Sequence, residues 1–302
     1  MTIFAYTENH QSIMHSISNE TISIKVADKG AELQSIYNKQ SELEYMWSGD
    51  PAFWAKKSPV LFPIVGGLKK NTYNYKGKYY QLGRHGFARD NTFDLVEKTN
   101  SSLTFSLKSN EQTKECYPFD FVFSVKYAVQ ENKLQVTFIV ENTGSDNLLF
   151  SVGAHPAFAV PLVKGTTYED YYLQFNKAED AGRWPLSLDG LIETTATPCL
   201  KNENRLPLKK ELFHKDAIVF KHLTSDSISI VSDKTPHGAK VHFPGFPYMG
   251  IWAARDADFV CIEPWSGIAD SVDASGNLEE KEGINSLAAN GRFEIAYSIE
   301  VF

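Results

Sequence analysis

Three ionisable side chains stand in short runs that are rich in glycine, proline and aromatic residues. The runs are RHGFAR around His85, GAHPAF around His155 and CIEPW around Glu263. An imidazole and a carboxylate exchange protons near neutral pH, and aromatic rings offer a stacking surface for the apolar C–H face of a sugar ring. The three runs therefore predict an acid/base site that handles a carbohydrate.

Glu263 follows the apolar run FVCI at residues 259–262 and precedes Pro264 and Trp265. This pattern predicts a buried strand. Burial raises the pKa of a carboxyl group toward the value that a general base needs at neutral pH, which distinguishes Glu263 from the surface glutamates. The alternative is a strand-end glutamate that pairs with a surface lysine.

The two histidines differ in their surroundings. Small residues before His155 allow another group to approach its backbone, and Pro156 fixes the direction of the chain after it. The alternative for His155 is a structural histidine with satisfied hydrogen bonds. His85 lies in a predicted loop with Arg84 and Arg89, whose donors are suited to ring hydroxyls or a phosphate.

Composition narrows the class of ligand. The chain has 302 residues and a net charge of −7, so nucleic acid binding has little electrostatic support and a small ligand is favoured. The three cysteines are far apart and lack a CxxC or Cys/His spacing, which argues against a disulfide framework and a zinc site. The polar residues 7–10 and the lack of a long apolar run predict a cytoplasmic protein without a membrane partner.

Apolar and polar residues alternate with a period of two along the whole chain, as in half-buried antiparallel strands. The clearest runs are residues 22–26, 103–107, 121–129, 134–140 and 293–301. Turn residues at 74–78, 130–133 and 142–145 favour hairpins. The best helix start is Asp50-Pro51, with only about two turns before Pro59. Because no linker divides the sequence, we expect one all-β domain over residues 1–302.

The order of five runs resembles the aldose 1-epimerase (galactose mutarotase) family, most closely its LacX-type branch. The runs are SPVLFPIVG at 58–66, LGRHGFAR at 82–89, GAHPAF at 153–158, FPG at 243–245 and IEPW at 262–265. The resemblance covers nearly the whole chain. It implies a large antiparallel β-sandwich of the galactose mutarotase type with few short helices, one active-site cleft, and no metal or organic cofactor.

The resemblance also implies an activity, the interconversion of α and β anomers of an aldohexose such as galactose or glucose. In this family the second histidine acts as acid, the late glutamate as base, and the first histidine binds the sugar. These roles fall on His155, Glu263 and His85. The chemistry agrees, because one base that removes the O1 proton and one acid that protonates the ring oxygen suffice to open the ring.

Two positions depart from the family pattern. His242 stands near the place where galactose mutarotases carry an aspartate before a late Pro-Gly, so we take His242 as a sugar-binding candidate. An early Gly-Arg of the family is absent, and Lys69 or Arg89 is expected to serve instead. Arg89 also matches the arginine of relatives that act on hexose 6-phosphates, which leaves a hexose phosphate open as the substrate.

The sequence is also compatible with other functions. A non-catalytic sugar-binding protein would keep the aromatic residues and His85 without pairing His155 and Glu263. A glycoside hydrolase needs a second carboxylate, for which Asp90 and Asp270 are candidates. A metal site made of the two histidines and the glutamate lacks the usual short His-x-Asp/Glu spacing. Monomer and homodimer are both compatible with the sequence.

Overall fold

The computed structural model describes residues 12–302, so the polar residues 7–10 lie outside the described part of the chain. The strands in chain order are β1 (Met14–Ser18), β2 (Ile22–Ala27), β3 (Leu33–Asn38), β4 (Leu43–Glu44), β5 (Thr72–Tyr75), β6 (Lys78–Gln81), β7 (Asp94–Lys98), β8 (Ser102–Lys108), β9 (Phe121–Gln130), β10 (Lys133–Asn142), β11 (Leu148–Phe150), β12 (Val152–Gly153), β13 (Ala157–Ala159), β14 (Tyr171–Arg183), β15 (Thr197–Pro207), β16 (Ile218–Lys221), β17 (Ser227–Ser232), β18 (Thr235–His242), β19 (Tyr248–Trp252), β20 (Phe259–Ser266), β21 (Asn285–Leu287) and β22 (Arg292–Val301).

Helices are few and short, as predicted. Within residues 12–302 the α-helical segment is α1 (Glu111–Cys116). The 3₁₀ helices are Lys69–Asn71, Ala88–Asp90, Tyr168–Asp170, Lys210–Phe213 and Leu278–Glu280. None of the helices in this range has the length and apolarity that crossing a membrane requires.

Nine strands form one large antiparallel sheet, in the order β15-β14-β17-β18-β22-β10-β9-β8-β7. Four of the five clearest alternating runs lie in this sheet, as β8, β9, β10 and β22, and the fifth is β2 of a four-stranded sheet, β1-β2-β3-β4. A five-stranded sheet has the order β12-β20-β19-β16, with β13 also paired to β20. The predicted turns at 74–78 and 130–133 connect the hairpins β5-β6 and β9-β10.

A continuous hydrophobic core joins these sheets. Phe123 and Phe138 of the nine-stranded sheet, Ile24 of the four-stranded sheet and Ile251 of the five-stranded sheet are all fully buried in it. Because side chains alternate across a strand, each run of period two places one apolar face in this core. The antiparallel β-sandwich predicted from the sequence is therefore confirmed, whereas one domain over residues 1–302 stays a prediction.

Phe62 attaches two loops to the large sheet. Its ring stacks on that of Phe123, with centroids 4.4 Å apart, and its carbonyl oxygen accepts the backbone N–H groups of Phe87 and Ala88, both at 3.1 Å. The segment before Gly66 and the loop that carries His85 are thereby held together.

The helix predicted at Asp50 is wrong. Asp50 begins a turn in which its carbonyl oxygen accepts the N–H groups of Phe53 and Trp54 and its carboxylate accepts that of Ala52. No second turn follows, because the N–H groups of Lys57 and Ser58, which a second turn needs as donors, instead donate to Glu32 Oε1 at 2.7 and 3.0 Å.

A buried ion pair fixes the segment around Lys69. Lys281 Nζ donates to Asp270 Oδ1 at 2.7 Å, and the two side chains are only 2% and 5% exposed. Asp270 Oδ2 accepts the backbone N–H of Lys69 at 2.9 Å, and the Asp270 N–H donates to the Gly67 carbonyl at 2.9 Å. Burial lowers the pKa of Lys281, and the adjacent Asp270 opposes this shift.

Lys281→Ala is expected to lower the free energy of unfolding by about 3–5 kcal/mol, because it leaves the Asp270 carboxylate buried without its partner. The matched control is Lys234→Ala, which breaks a pair with Asp170 in which the lysine side chain is 62% exposed, and little change is expected there. Denaturant unfolding measures both variants. Similar losses in the two variants would contradict the assignment.

Candidate active site

A cavity of about 450 Å³ lies beside the five-stranded sheet. Its volume is in the range of small-molecule sites. Four residues that the sequence singled out line it together, namely His85, Arg89, His155 and Glu263. The fold therefore brings the three ionisable runs to one place.

The strand register explains why His155 and Glu263 meet. Strands β12 and β13, which flank His155 on either side, both pair with β20 in one continuous antiparallel register. The paired residues are Gly153 with Trp265 and Ala157 with Cys261. His155, midway between these pairs, consequently lies opposite Glu263, and its Nε2 is 3.3 Å from Glu263 Oε2.

Glycines on both neighbouring strands make room for the Trp265 indole. A Cβ atom at Gly153 would lie 2.7 Å from Trp265 Cδ1, and one at Gly250 would lie 2.4 Å from Trp265 Cζ2. Gly250 pairs directly with Glu263, so the indole packs beside the carboxyl group. The close approach that small residues before His155 predicted is therefore made by Trp265.

Aromatic rings hold the His155 imidazole. Its ring centroid is 5.0 Å from that of Trp54 and 5.4 Å from that of Trp252, and the residue is 8% exposed. Its Nδ1 is buried without a hydrogen-bond partner. Burial lowers the pKa of His155 to about 3, and the nearby Arg89 charge acts in the same direction, so the imidazole is neutral at pH 7.

Glu263 is 1% exposed, as its place in an apolar run predicted. Burial raises the pKa of its carboxyl group well above the ordinary value, the Asp216 charge adds to the rise, and the Trp265 indole opposes it. Because burial moves the two pKa values in opposite directions, a proton shared between the groups favours Glu263 over His155.

His85 is fixed by two hydrogen bonds to one residue. Its backbone N–H donates to the Gly66 carbonyl at 2.8 Å, and its Nδ1 accepts the Gly66 N–H at 3.1 Å. The ring proton therefore belongs on Nε2. Burial lowers the pKa of His85 well below its usual value, and the neighbouring His155 and Arg89 charges add to this. His85 is thus a neutral hydrogen-bond donor, with its ring centroid 5.7 Å from that of His155.

Asp216 is a charged cavity residue that no sequence pattern indicated. It lines the cavity together with Arg84 and Arg255, and its Oδ2 is 3.8 Å from an Arg84 guanidinium nitrogen. Its backbone φ of 84° lies in the left-handed region. The one available signal is its position shortly before the short apolar strand β16, which does not distinguish it from other loop aspartates.

Two predicted binding residues do not reach the cavity. The Lys69 backbone is bound to Asp270, and its Nζ points to the Ala274 carbonyl at 3.4 Å. His242, at the end of β18, is exposed and lies 3.8 Å from the Asp226 carboxylate. We therefore leave Lys69 and His242 out of the candidate site.

The aromatic residues in and near these runs are divided between the cavity and the core. Trp252 and Trp265 line the cavity, whereas Phe62 and Phe158 are buried in the core. Trp54, which no local pattern marked, also lines the cavity.

The family model described as aldose 1-epimerase matches residues 14–282. The chain belongs to the aldose 1-epimerase family. It is 33% identical over 295 residues to the plasmid-encoded protein LacX of Lactococcus lactis subsp. lactis, across 94% of this chain and 98% of that protein. The predicted resemblance to the LacX-type branch is thus confirmed.

Solved structures agree with this aldose 1-epimerase assignment. A galactose mutarotase related enzyme from Lactobacillus acidophilus is 37% identical, with a TM-score of 0.92 over 96% of this chain and 97% of that chain. A galactose mutarotase-like protein from Lactobacillus casei is 29% identical, with a TM-score of 0.88 over 96% and 100%.

The raised pKa of Glu263 gives this aldose 1-epimerase family member a testable pH dependence. Above the ordinary value of 4.5, the unfolded state releases a proton that the folded state keeps, so the free energy of unfolding falls as pH rises. Glu263→Gln replaces the titrating carboxyl group with an amide, so this fall in the free energy of unfolding does not occur in the variant. Its stability relative to the parent protein is expected to increase as the pH rises above 4.5, as measured by denaturant unfolding.

Because His155 Nε2 lies 3.3 Å from Glu263 Oε2, the comparison reports the Glu263 carboxyl group together with its coupling to His155. Glu97→Gln, at an exposed position of β7, is the control for exchanging a carboxylate for an amide. A stability difference between Glu263→Gln and parent that does not vary with pH would contradict the raised pKa.

Proposed function

We propose that this chain is an aldose 1-epimerase that interconverts the α and β anomers of an aldohexose such as galactose or glucose. The observation that carries the proposal is the distance of 3.3 Å between His155 Nε2 and Glu263 Oε2 in the wall of a sugar-sized cavity. The two oxygens that exchange protons, O1 and O5, are bonded to the same carbon. An acid and a base that serve them at once must therefore be close neighbours.

In the proposed mechanism Glu263 is the base and His155 the acid. The Glu263 carboxylate takes the proton of the O1 hydroxyl, the C1–O5 bond breaks as C1 becomes a carbonyl carbon, and the His155 imidazolium donates a proton to O5. Rotation about C1–C2 by half a turn presents the other face of the carbonyl. Reversal of the proton transfers then closes the ring as the other anomer.

One proton serves the whole cycle. The closed sugar reacts with the proton on His155, and ring opening leaves the proton on Glu263 and a neutral imidazole. Burial of the two groups favours this second arrangement. Burial therefore favours a protonated Glu263 and a neutral His155, which is the protonation state that accompanies the open-chain sugar. Either anomer can form from the open-chain sugar.

Other cavity residues would orient the sugar. His85 has its Nε2–H available as a donor, and Asp216 offers the carboxylate acceptor that the sequence analysis looked for near His242. Trp54 and Trp252 offer apolar ring surface beside His155.

A hexose phosphate is the second candidate substrate. Three arginines, Arg84, Arg89 and Arg255, line the cavity, and a guanidinium group is well suited to a phosphate. Asp216 lies near Arg84 and competes with an anion for that side chain. We therefore place the neutral sugar first and the 6-phosphate second.

The remaining alternatives have less support. A purely sugar-binding protein has no need of a buried imidazole and carboxyl group in contact. For a glycoside hydrolase, the two candidate second carboxylates are poorly placed, because Asp270 is bound to Lys281 and the exposed Asp90 lies near Lys56. Cytoplasmic location and the oligomeric state stay predictions.

The proposal is tested by replacing the acid and the base. Glu263→Gln and His155→Asn are each expected to lower the rate of anomer exchange by about 10²-fold or more, because each removes a positioned proton-transfer group. Exchange is measured by NMR at low buffer concentration on glucose, galactose and their 6-phosphates. His242→Asn is the matched control and should retain the rate. Full activity of Glu263→Gln, or no catalysed exchange by the parent with any of these sugars, would overturn the proposal.

Asp216→Asn tests the sugar-orienting role. The amide keeps the shape of the side chain but removes a charged acceptor, whose hydrogen bond is worth about 1.5–3 kcal/mol. We expect kcat/KM to fall about 10- to 100-fold for the preferred neutral sugar. Asp226→Asn, beside His242 and outside the cavity, is the control. An unchanged kcat/KM in Asp216→Asn would remove Asp216 from the site.

A further inference from the structure

The acid and base stand beside a third side chain that can bind a metal ion. Among residues 12–302, a group of three potential ligands is formed by His155, Cys261 and Glu263, all buried, with one donor atom from each within 4.8 Å of the others. His85, which the sequence suggested as a third ligand, is not in this group. Its Nδ1 is engaged by the Gly66 N–H.

The strand register that places His155 opposite Glu263 also places the Cys261 thiol close to these two residues. Cys261 and Glu263 are two residues apart on β20 and so project from the same face of the sheet. Ala157 lies opposite Cys261, and the Cys261 side chain is fully buried. The three donors thus come from one small patch of two paired segments.

The donor set matches a particular class of metal. An imidazole nitrogen, a thiolate and a carboxylate oxygen are the ligands of Zn²⁺, with a fourth position left for water. The soft thiolate favours Zn²⁺ or Cd²⁺ over Mg²⁺ and Ca²⁺. Two ligands about 2.0–2.1 Å from a tetrahedral Zn²⁺ lie about 3.3 Å apart. The His155 nitrogen and the Glu263 oxygen already have a separation of 3.3 Å.

We propose that His155, Cys261 and Glu263 bind one Zn²⁺ or Cd²⁺ ion, and that the bound ion inhibits sugar turnover. The ion would be an inhibitor and not a cofactor, because it occupies the lone pairs that transfer protons. Coordination releases the thiol proton of Cys261 and the proton held by Glu263 to the buffer, and no group is oxidised or reduced. The inhibitory part rests on the proposed function, whereas the binding part does not.

Metal binding is tested without sugar. The full-length Cys116→Ser/Cys199→Ser protein keeps Cys261 as its single thiol, because the chain has three cysteines. Titration with CdCl₂ is expected to produce the ultraviolet thiolate-to-Cd²⁺ charge-transfer band, saturating at one equivalent. Cys261→Ser and Cys261→Ala in this background should abolish the band. His155→Asn and Glu263→Gln should each weaken Cd²⁺ binding at least about tenfold, because each removes a ligand.

Inhibition is tested on the same proteins. Zn²⁺ is expected to slow anomer exchange in the Cys116→Ser/Cys199→Ser protein. Cys261→Ser should require at least about tenfold more Zn²⁺ for half-inhibition, since it exchanges a soft ligand for a hard one. Circular dichroism establishes that each variant is folded, and the His155 and Glu263 variants provide the binding test if neither Cys261 variant folds.

The outcomes separate this proposal from the proposed function. Absence of the band in the single-thiol protein, or Cd²⁺ affinity unchanged by His155→Asn and Glu263→Gln, overturns the metal site. Zn²⁺ inhibition that is equal with and without Cys261 overturns the inhibitory assignment. A Cys261-dependent band in a protein without mutarotase activity supports the metal site and rejects the proposed function.

Discussion

The register between β20 and the two short strands around His155 is the constraint on which the site depends. Successive side chains of a strand point to opposite faces, so a slip of one residue would turn Glu263 away from the imidazole. Gly153 and Gly250 favour this register, because Trp265 packs where their side chains would be. Backbone pairing and the packing of one indole together set a distance of 3.3 Å between two groups far apart in sequence.

Burial then determines the protonation states of His155 and Glu263. Desolvation disfavours both the carboxylate and the imidazolium, so the pKa of Glu263 rises while that of His155 falls. In water, the proton would instead stay on the more basic imidazole. Burial opposes this difference in intrinsic basicity and, in the folded protein, places the shared proton on Glu263 and not on His155.

Local sequence patterns predicted the parts of the structure that local rules control. Period-two alternation located β2, β8, β9, β10 and β22, and the apolar run before Glu263 indicated its burial. The contact of His155 with Glu263 depends on pairing between distant strands, so no local pattern predicted it; the residue types of the three runs and the family resemblance suggested a shared site. Asp216 and Trp54 reach the cavity from irregular segments. The helix expected at Asp50 does not form a second turn because the Glu32 carboxylate, which is distant in sequence, binds the N–H groups of Lys57 and Ser58.

The candidate site is formed by residues of the five-stranded sheet and by residues of the loops. The proposed acid and base, His155 and Glu263, come from paired segments of the five-stranded sheet, where backbone hydrogen bonds fix their positions. The charged side chains of Arg84, Asp216 and Arg255 come from connecting segments, which tolerate changes in length and sequence better than paired strands do. Exchanging these loop residues alters the charge and shape presented to the sugar while the register that opposes His155 to Glu263 stays intact. The loop charges also act on the pair, however, because the charge of Asp216 adds to the raised pKa of Glu263.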